Sequence, residues 1–189
     1  MSGIMCVLLA AKGSRWNYII GILNCLTYSW VSYKVGLFGE IIENMAFYLP
    51  LQFIGFYMWS KKTMSDGIVE MRKLPLWKIA VGFIGCAGIT YGFGLFLDSL
   101  EGQVNPFLDS FTNVLTIIAA LLMLLRYREY WLVYIIVNSV QVFIWLLRVA
   151  SGDSDSVTMS VMWFAYLVNS VYGAIVWYQA TLQETSNSP

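Results

Sequence analysis

Asn44, Tyr48, Gln52, Gly55 and Trp59 fall within an arc of about 80° when their stretch of chain is wound as a helix at about 100° per residue. One helical stripe therefore carries two amides, two aromatic rings and a small residue. Three further stretches group polar residues in the same way: Tyr166, Asn169, Ser170, Gly173 and Trp177; Trp131, Asn138, Gln141 and Trp145; and Asp109, Thr112, Asn113 and Thr116. A vaguer one holds Asn17, Asn24 and Thr27. An amide offers donors and an acceptor, so it matches hydroxyls and other amides. Tyrosine and tryptophan faces hold a cation, worth about 0.5 to 2 kcal/mol depending on desolvation.

That is binding chemistry rather than bond-breaking chemistry. The chain has no histidine and three cysteines, Cys6, Cys25 and Cys86, with no CxxC or HExxH pattern. Neither a zinc site nor a histidine-based catalytic centre can be assembled from these. Each cysteine lies in an apolar run and reads as a small buried hydrophobe. No GxxxxGK phosphate loop is present, which removes that route to ATP hydrolysis, and no cofactor is implied.

The elements that must position the stripes follow from composition. Of 189 residues, 59% are hydrophobic and only 12% charged, with a mean hydropathy of +0.67. This is an all-α integral membrane protein by composition, since an average soluble domain has about 25% charged residues. About 20 apolar residues cross a bilayer as a helix. By that measure six full spans are expected, at 16–34, 39–60, 77–97, 107–125, 130–149 and 157–180. Residues 2–11 are too short to cross alone and lack the basic start of a signal peptide. They are read as the tail of a truncated first helix, giving seven transmembrane helices.

With that fragment counted, alternate loops fall on opposite faces. One face receives Lys12, Arg15, Lys61, Lys62, Arg72, Lys73, Lys78, Arg126 and Arg128, nine of the eleven basic residues. The other receives Lys34 and Arg148 with Glu40, Glu43, Asp98, Glu101, Asp109, Asp153 and Asp155. The basic face is cytoplasmic by the positive-inside rule, as is the C-terminus. Trp16, Trp59, Trp77, Trp131 and Trp177 stand near span ends, where headgroup anchoring is the default role for most of them. Zero net charge and no basic stripe argue against nucleic acid.

The third and seventh helices share a pattern. "YLPLQFIGFYMW" and "YLVNSVYGAIVW" both place tyrosine, leucine, glycine and tryptophan at an offset of 118. Lys12 matches Arg126 at 114, and Trp16 and Trp30 match Trp131 and Trp145 at 115. A three-helix unit is duplicated, and because an odd unit inverts if copied directly, one linker helix is needed. The expected arrangement is 3+1+3: a first repeat at 1–60, a loop and linker helix at 61–106, a second repeat at 107–180 and a cytoplasmic tail at 181–189. Parallel repeats of this kind suit a transporter with its substrate site between the bundles.

A lipid-facing amide costs several kcal/mol, so the stripes face other helices or a cavity. Interhelical hydrogen bonds, averaging about 0.6 kcal/mol, and close approach at Gly55 and Gly173 are the plainer use of such residues. Pro50 is expected to kink the third helix beside Gln52. No lysine, arginine or acid lies mid-span, whereas proton-coupled carriers usually need an intramembrane acid or histidine. Uncoupled, facilitated movement is the expectation.

"WVSYKVGLFGEIIENMAFYLPLQFIGFYMW", "RYREYWLVYIIVNSVQVFIWLL" and "YLVNSVYGAIVW" together resemble the PnuC family of vitamin transporters, whose best-known members carry nicotinamide riboside across the bacterial inner membrane. The resemblance runs from about Leu8 to Trp177. It implies a fold like the SWEET sugar transporters, one central substrate site, facilitated diffusion, and trapping of the vitamin by a separate cytoplasmic kinase. Nicotinamide riboside has a cationic pyridinium ring, a carboxamide and ribose hydroxyls. On that substrate Trp145 and Tyr166 are expected against the ring and Asn44, Gln52, Asn138, Gln141 and Asn169 on polar groups, with Tyr48, Asp109 and Tyr172 as second choices. The phosphorylated form should be a poor substrate, because no basic residue lies in the expected cavity to neutralise a phosphate.

Thiamine or riboflavin is the alternative substrate within the family. A retinal receptor fails, because no lysine follows Lys78 to carry the Schiff base, and a membrane enzyme lacks a nucleophile with a base beside it. The bilayer and a small-molecule vitamin are the expected partners, and a homo-oligomer is compatible with the sequence.

Overall fold

The computed structural model describes residues 2–34, 41, 44–99, 106–152 and 156–186. Glu40, Glu43, Glu101, Asp153 and Asp155, used above to sort charge, lie outside the described residues, as do most of loop 98–106 and the last residues of the tail. Among the described residues the protein is all-helical: α1 Ser2–Ala11, α2 Trp16–Lys34, a π-helical turn Asn44–Tyr48 leading into α3 Leu49–Ser60, α4 Leu76–Asp98, α5 Pro106–Leu124, α6 Tyr130–Ala150 and α7 Ser156–Ser186.

The turn after α1 is closed by Gly13, at φ 68°, with the Ser14 N–H donating to the Leu9 carbonyl at 2.9 Å. This left-handed cap satisfies an orphan carbonyl at the helix end, and glycine adopts it without a Cβ penalty. The turn after α5 repeats it: Arg126 has φ 65°, and the Tyr127 N–H donates to the Leu122 carbonyl at 2.9 Å. Gly13 is thus the backbone counterpart of Arg126, at an offset of 113. Matching letters aligned Lys12 with Arg126 instead, because side-chain charge is a poorer guide to register than backbone conformation.

Pro50 sits in the first turn of α3. The chain before it is wound as a π turn, Asn44–Tyr48. Proline removes one i→i−4 hydrogen bond and crowds the preceding turn, and a locally wider turn accommodates both effects.

Among the described residues four helices, α4, α5, α6 and Ser156–Gln183 of α7, are long and apolar enough to cross a membrane. The expected spans 16–34 and 39–60 do not join them. α2 has 19 residues but carries Asn17, Asn24, Thr27, Ser29 and Lys34, and α3 has only 12.

The chain divides into two compact units. The first comprises Met1–Met71, Leu124–Arg126 and Tyr172–Pro189. In it α2 packs on both α1 and α3. Gly55 lets the Tyr18 ring lie against α3, since a Cβ there would overlap that ring. Tyr18 meets Trp59 edge-on with ring centroids 5.1 Å apart, and Trp59 meets Trp177 at 5.8 Å. The Trp177 indole N–H donates to the carbonyls of Ala10 and Ala11 at 3.2 and 3.1 Å. Loop residues close the base: Val69 N–H donates to the Gly13 carbonyl at 2.9 Å, and Arg126 donates to the Glu70 carbonyl and carboxylate, both at 3.2 Å.

The second unit comprises Arg72–Met123 and Tyr127–Val171. Here the Arg128 N–H donates to the Arg72 carbonyl at 2.8 Å, the Arg72 guanidinium lies 4.9 Å over the Tyr127 ring, and Glu129 accepts from the Leu74 N–H at 2.9 Å. Phe107 of α5 occupies the space that a side chain at Gly94 of α4 would need.

Headgroup anchoring does not hold for three of the five tryptophans. Trp59 and Trp177 are 0% exposed and Trp131 2%, whereas Trp16 and Trp77 remain 55% and 65% exposed. Position along a helix gives depth in the membrane; it does not say which way the ring points.

Candidate substrate-binding residues

In the second unit, α6 and α7 meet through polar groups. The Asn138 side-chain Nδ2 donates to Ser170 Oγ at 2.7 Å, and Ser170 Oγ donates to the Tyr166 carbonyl, one turn back, at 2.8 Å. Both Asn138 and Ser170 are buried. Asn169 is also buried, and its Oδ1 has no hydrogen-bond partner among the described residues. A buried acceptor left unpaired costs about 1–3 kcal/mol, so Asn169 Oδ1 still has a hydrogen bond to accept. The Tyr166 ring packs edge-on to Trp163 with centroids 5.8 Å apart.

Gln141 and Trp145 continue the α6 stripe and are half-buried. The Arg148 guanidinium lies 4.9 Å over the Trp145 ring, so a cation already sits on that ring. The sequence reading placed no basic group beside the stripes; Arg148, three residues on, folds back to one. Asp109 lies on α5, but its side chain is outside those described.

In the first unit, Asn44 is buried in the π turn and Tyr48 closes it, its ring edge-on to Phe47 at 5.1 Å. Gln52, one turn into α3, has its side-chain amide where a Cβ on Gly21 of α2 would fall. Gly21 is therefore the residue that lets a long amide side chain lie on the α2 backbone. Tyr172 is exposed on α7.

The expected residues are thus gathered in two sets: Asn138, Gln141, Trp145, Tyr166 and Asn169 in the second unit, and Asn44, Tyr48, Gln52 and Tyr172 in the first. Residues 1–179 match the family described as nicotinamide mononucleotide transporter. The chain belongs to that family.

Relatives agree with this membership. The chain is 34% identical to the nicotinamide riboside transporter PnuC of Neisseria mucosa, covering 94% of this chain and 69% of the relative. It is 34% identical to that of Haemophilus influenzae, covering 94% and 76%, and 25% identical to that of Escherichia coli, covering 78% and 72%. A crystal structure of the vitamin B3 transporter PnuC superposes with a TM-score of 0.75 at 33% identity, covering 94% of this chain and 77% of that one. The resemblance to PnuC transporters is borne out, and the protein is a multi-pass membrane protein of a transporter family.

In this member of the nicotinamide mononucleotide transporter family, three residues outside the expected contacts lie beside them. Ser170 lies on the α7 stripe, and a serine four residues after Tyr166 can give its proton to that carbonyl. Gly21 opposes Gln52, which only the α2–α3 packing reveals. Arg148 sits one turn after Trp145, spacing that places it on the same face.

Proposed function

We propose that this chain carries nicotinamide riboside across the bacterial inner membrane by facilitated diffusion, with its C-terminus cytoplasmic and a separate cytoplasmic kinase trapping the vitamin. The observation that carries the reading is the buried amide group on α6 and α7: Asn138 held by Ser170 beside Asn169 with an unpaired oxygen. Neutral amides match a carboxamide and hydroxyls, and Trp145 and Tyr166 supply the aromatic faces for a pyridinium. Gln141 on α6 is a further polar contact in this reading, and it keeps the sequence-based choices of Asn44 and Gln52 as polar contacts and of Tyr48, Asp109 and Tyr172 as second choices. The names of the relatives point to the same substrate.

Contacts made by neutral amides favour release as well as binding, which suits a carrier that couples to nothing. The 3+1+3 arrangement of parallel repeats, with α4 as linker, is part of this reading. It draws support from the repeated turn at Gly13 and Arg126 and from the burial of both Trp59 and Trp177.

One observation favours a second substrate. Arg148 over Trp145 could meet a phosphate, and the matched family is described by the mononucleotide. Arg148 is exposed and two residues from the end of α6, where a phosphate contact competes with water, so the riboside stays first. Calorimetry of the purified protein against nicotinamide riboside, its mononucleotide, thiamine and riboflavin separates these. Tightest binding of any but the first defeats the proposal.

A further inference from the structure

A serine hydroxyl has a single hydrogen to give. In α7 the Ser170 hydroxyl gives it to the Tyr166 carbonyl at 2.8 Å, so toward α6 it can only accept. It accepts from Asn138 Nδ2 at 2.7 Å, which turns the nitrogen end of that amide onto the protein. The end of Asn138 not committed to Ser170 is its oxygen. Asn169, the residue just before Ser170, is 9% exposed and also has its oxygen buried without a partner among the described residues. The two asparagines therefore offer acceptors.

A fixed amide polarity matters little to a ligand hydroxyl, which can donate or accept. It matters to a group that does only one. The nitrogen of a primary carboxamide only donates, and an ionised carboxylate only accepts. We propose that Ser170 is a positioning residue: it fixes the Asn138 amide so that the oxygens of Asn138 and Asn169 receive the NH2 of a substrate carboxamide and reject a carboxylate in its place. This deepens the transport reading given above and rests on it.

The test compares binding of nicotinamide riboside with that of the same riboside bearing a ring carboxylate, by calorimetry on the purified full chain, with thermal unfolding measured alongside. The wild-type protein prefers the carboxamide by roughly tenfold or more, the weight of one well-placed hydrogen bond. Ser170→Ala loses most of that preference, Ser170→Thr, which keeps the hydroxyl, restores it, and Ser170→Cys, a weaker acceptor of similar size, falls between. Should the alanine variant fail to fold, the threonine and cysteine variants carry the same comparison. A serine that merely ties α6 to α7 would lower the unfolding temperature and leave the preference unchanged in the alanine or cysteine variant, and that result overturns the inference alone. A wild-type chain that binds neither riboside overturns the transport reading, and this inference with it.

Discussion

Trp59 and Trp177, 118 residues apart in the chain, lie ring against ring in the first unit, with centroids 5.8 Å apart at 46°. They are the last residues of the one motif that α3 and α7 share. Trp177 adds two hydrogen bonds to the end of α1, so a single side chain fastens α7 to both α1 and α3. Replacing either ring with alanine should lower stability by about 3–5 kcal/mol, as for large aromatics in cores. Trp177→Phe, which keeps a ring and loses the indole N–H, should lose about 1 kcal/mol for the donor beyond any change in packing. A double-mutant cycle of the two alanine variants should give a coupling of about 0.5–1.5 kcal/mol. Unfolding of the purified protein in mild detergent measures each; additive effects would show that the rings do not support each other.

Glycines separate into two groups by what surrounds them. Gly55→Ala should destabilise by about 1–3 kcal/mol through overpacking against Tyr18, and Tyr18→Leu should recover part of the loss. Gly21→Ala should displace Gln52 and weaken substrate binding more than it weakens the fold. By contrast Gly82, Gly85, Gly88 and Gly92 of α4 meet nothing within 4 Å, and alanine at any of them should leave stability and binding unharmed. Loss of binding in the α4 set, with none in Gly21→Ala, would contradict this division.

Arg126 holds a left-handed backbone that glycine would adopt freely and binds Glu70 with its guanidinium. Arg126→Ala loses the contact and keeps the strain, while Arg126→Gly loses the contact and relieves the strain. The glycine variant should therefore be the more stable of the two by about 1 kcal/mol. Glu70 is 50% exposed in its side chain, so Glu70→Gln should cost less than about 1 kcal/mol. Thermal unfolding of the three variants checks the order.

The Arg148 guanidinium covers the Trp145 ring, so under the proposed site it would compete there with a cationic substrate. Arg148→Gln should tighten nicotinamide riboside binding by roughly two- to fivefold, the weight of an exposed cation–π contact. A marked loss of riboside binding in that variant would mean that Arg148 belongs to the site as a contact, and would move the mononucleotide to first place.

The helices with the clearest apolar runs were legible from sequence to within a residue or two at most ends: 77–97 is Leu76–Asp98 and 130–149 is Tyr130–Ala150. Hydropathy says where a helix runs because burial in lipid demands a long apolar stretch. It is weaker for α2 and α3, whose polar residues and π turn belong to packing that only the tertiary structure supplies. Azimuth was harder still. Trp131 and Trp177 stand near the ends of the expected spans like Trp16 and Trp77, yet only the latter two are exposed, since a ring's direction depends on the neighbour it meets. Among the expected contacts, Asn138 and Asn169 proved to be buried neighbours of one serine, a relation between α6 and α7 that no periodicity within one helix could give.

The central claim is tested most directly by uptake into proteoliposomes containing the purified protein alone, with labelled nicotinamide riboside outside and no ion gradient. The account predicts entry that stops when the concentrations inside and outside are equal, continued accumulation when a riboside kinase and ATP are enclosed, and little entry of the mononucleotide. Uptake against a gradient without the kinase, or mononucleotide entry as fast as that of the riboside, would contradict it.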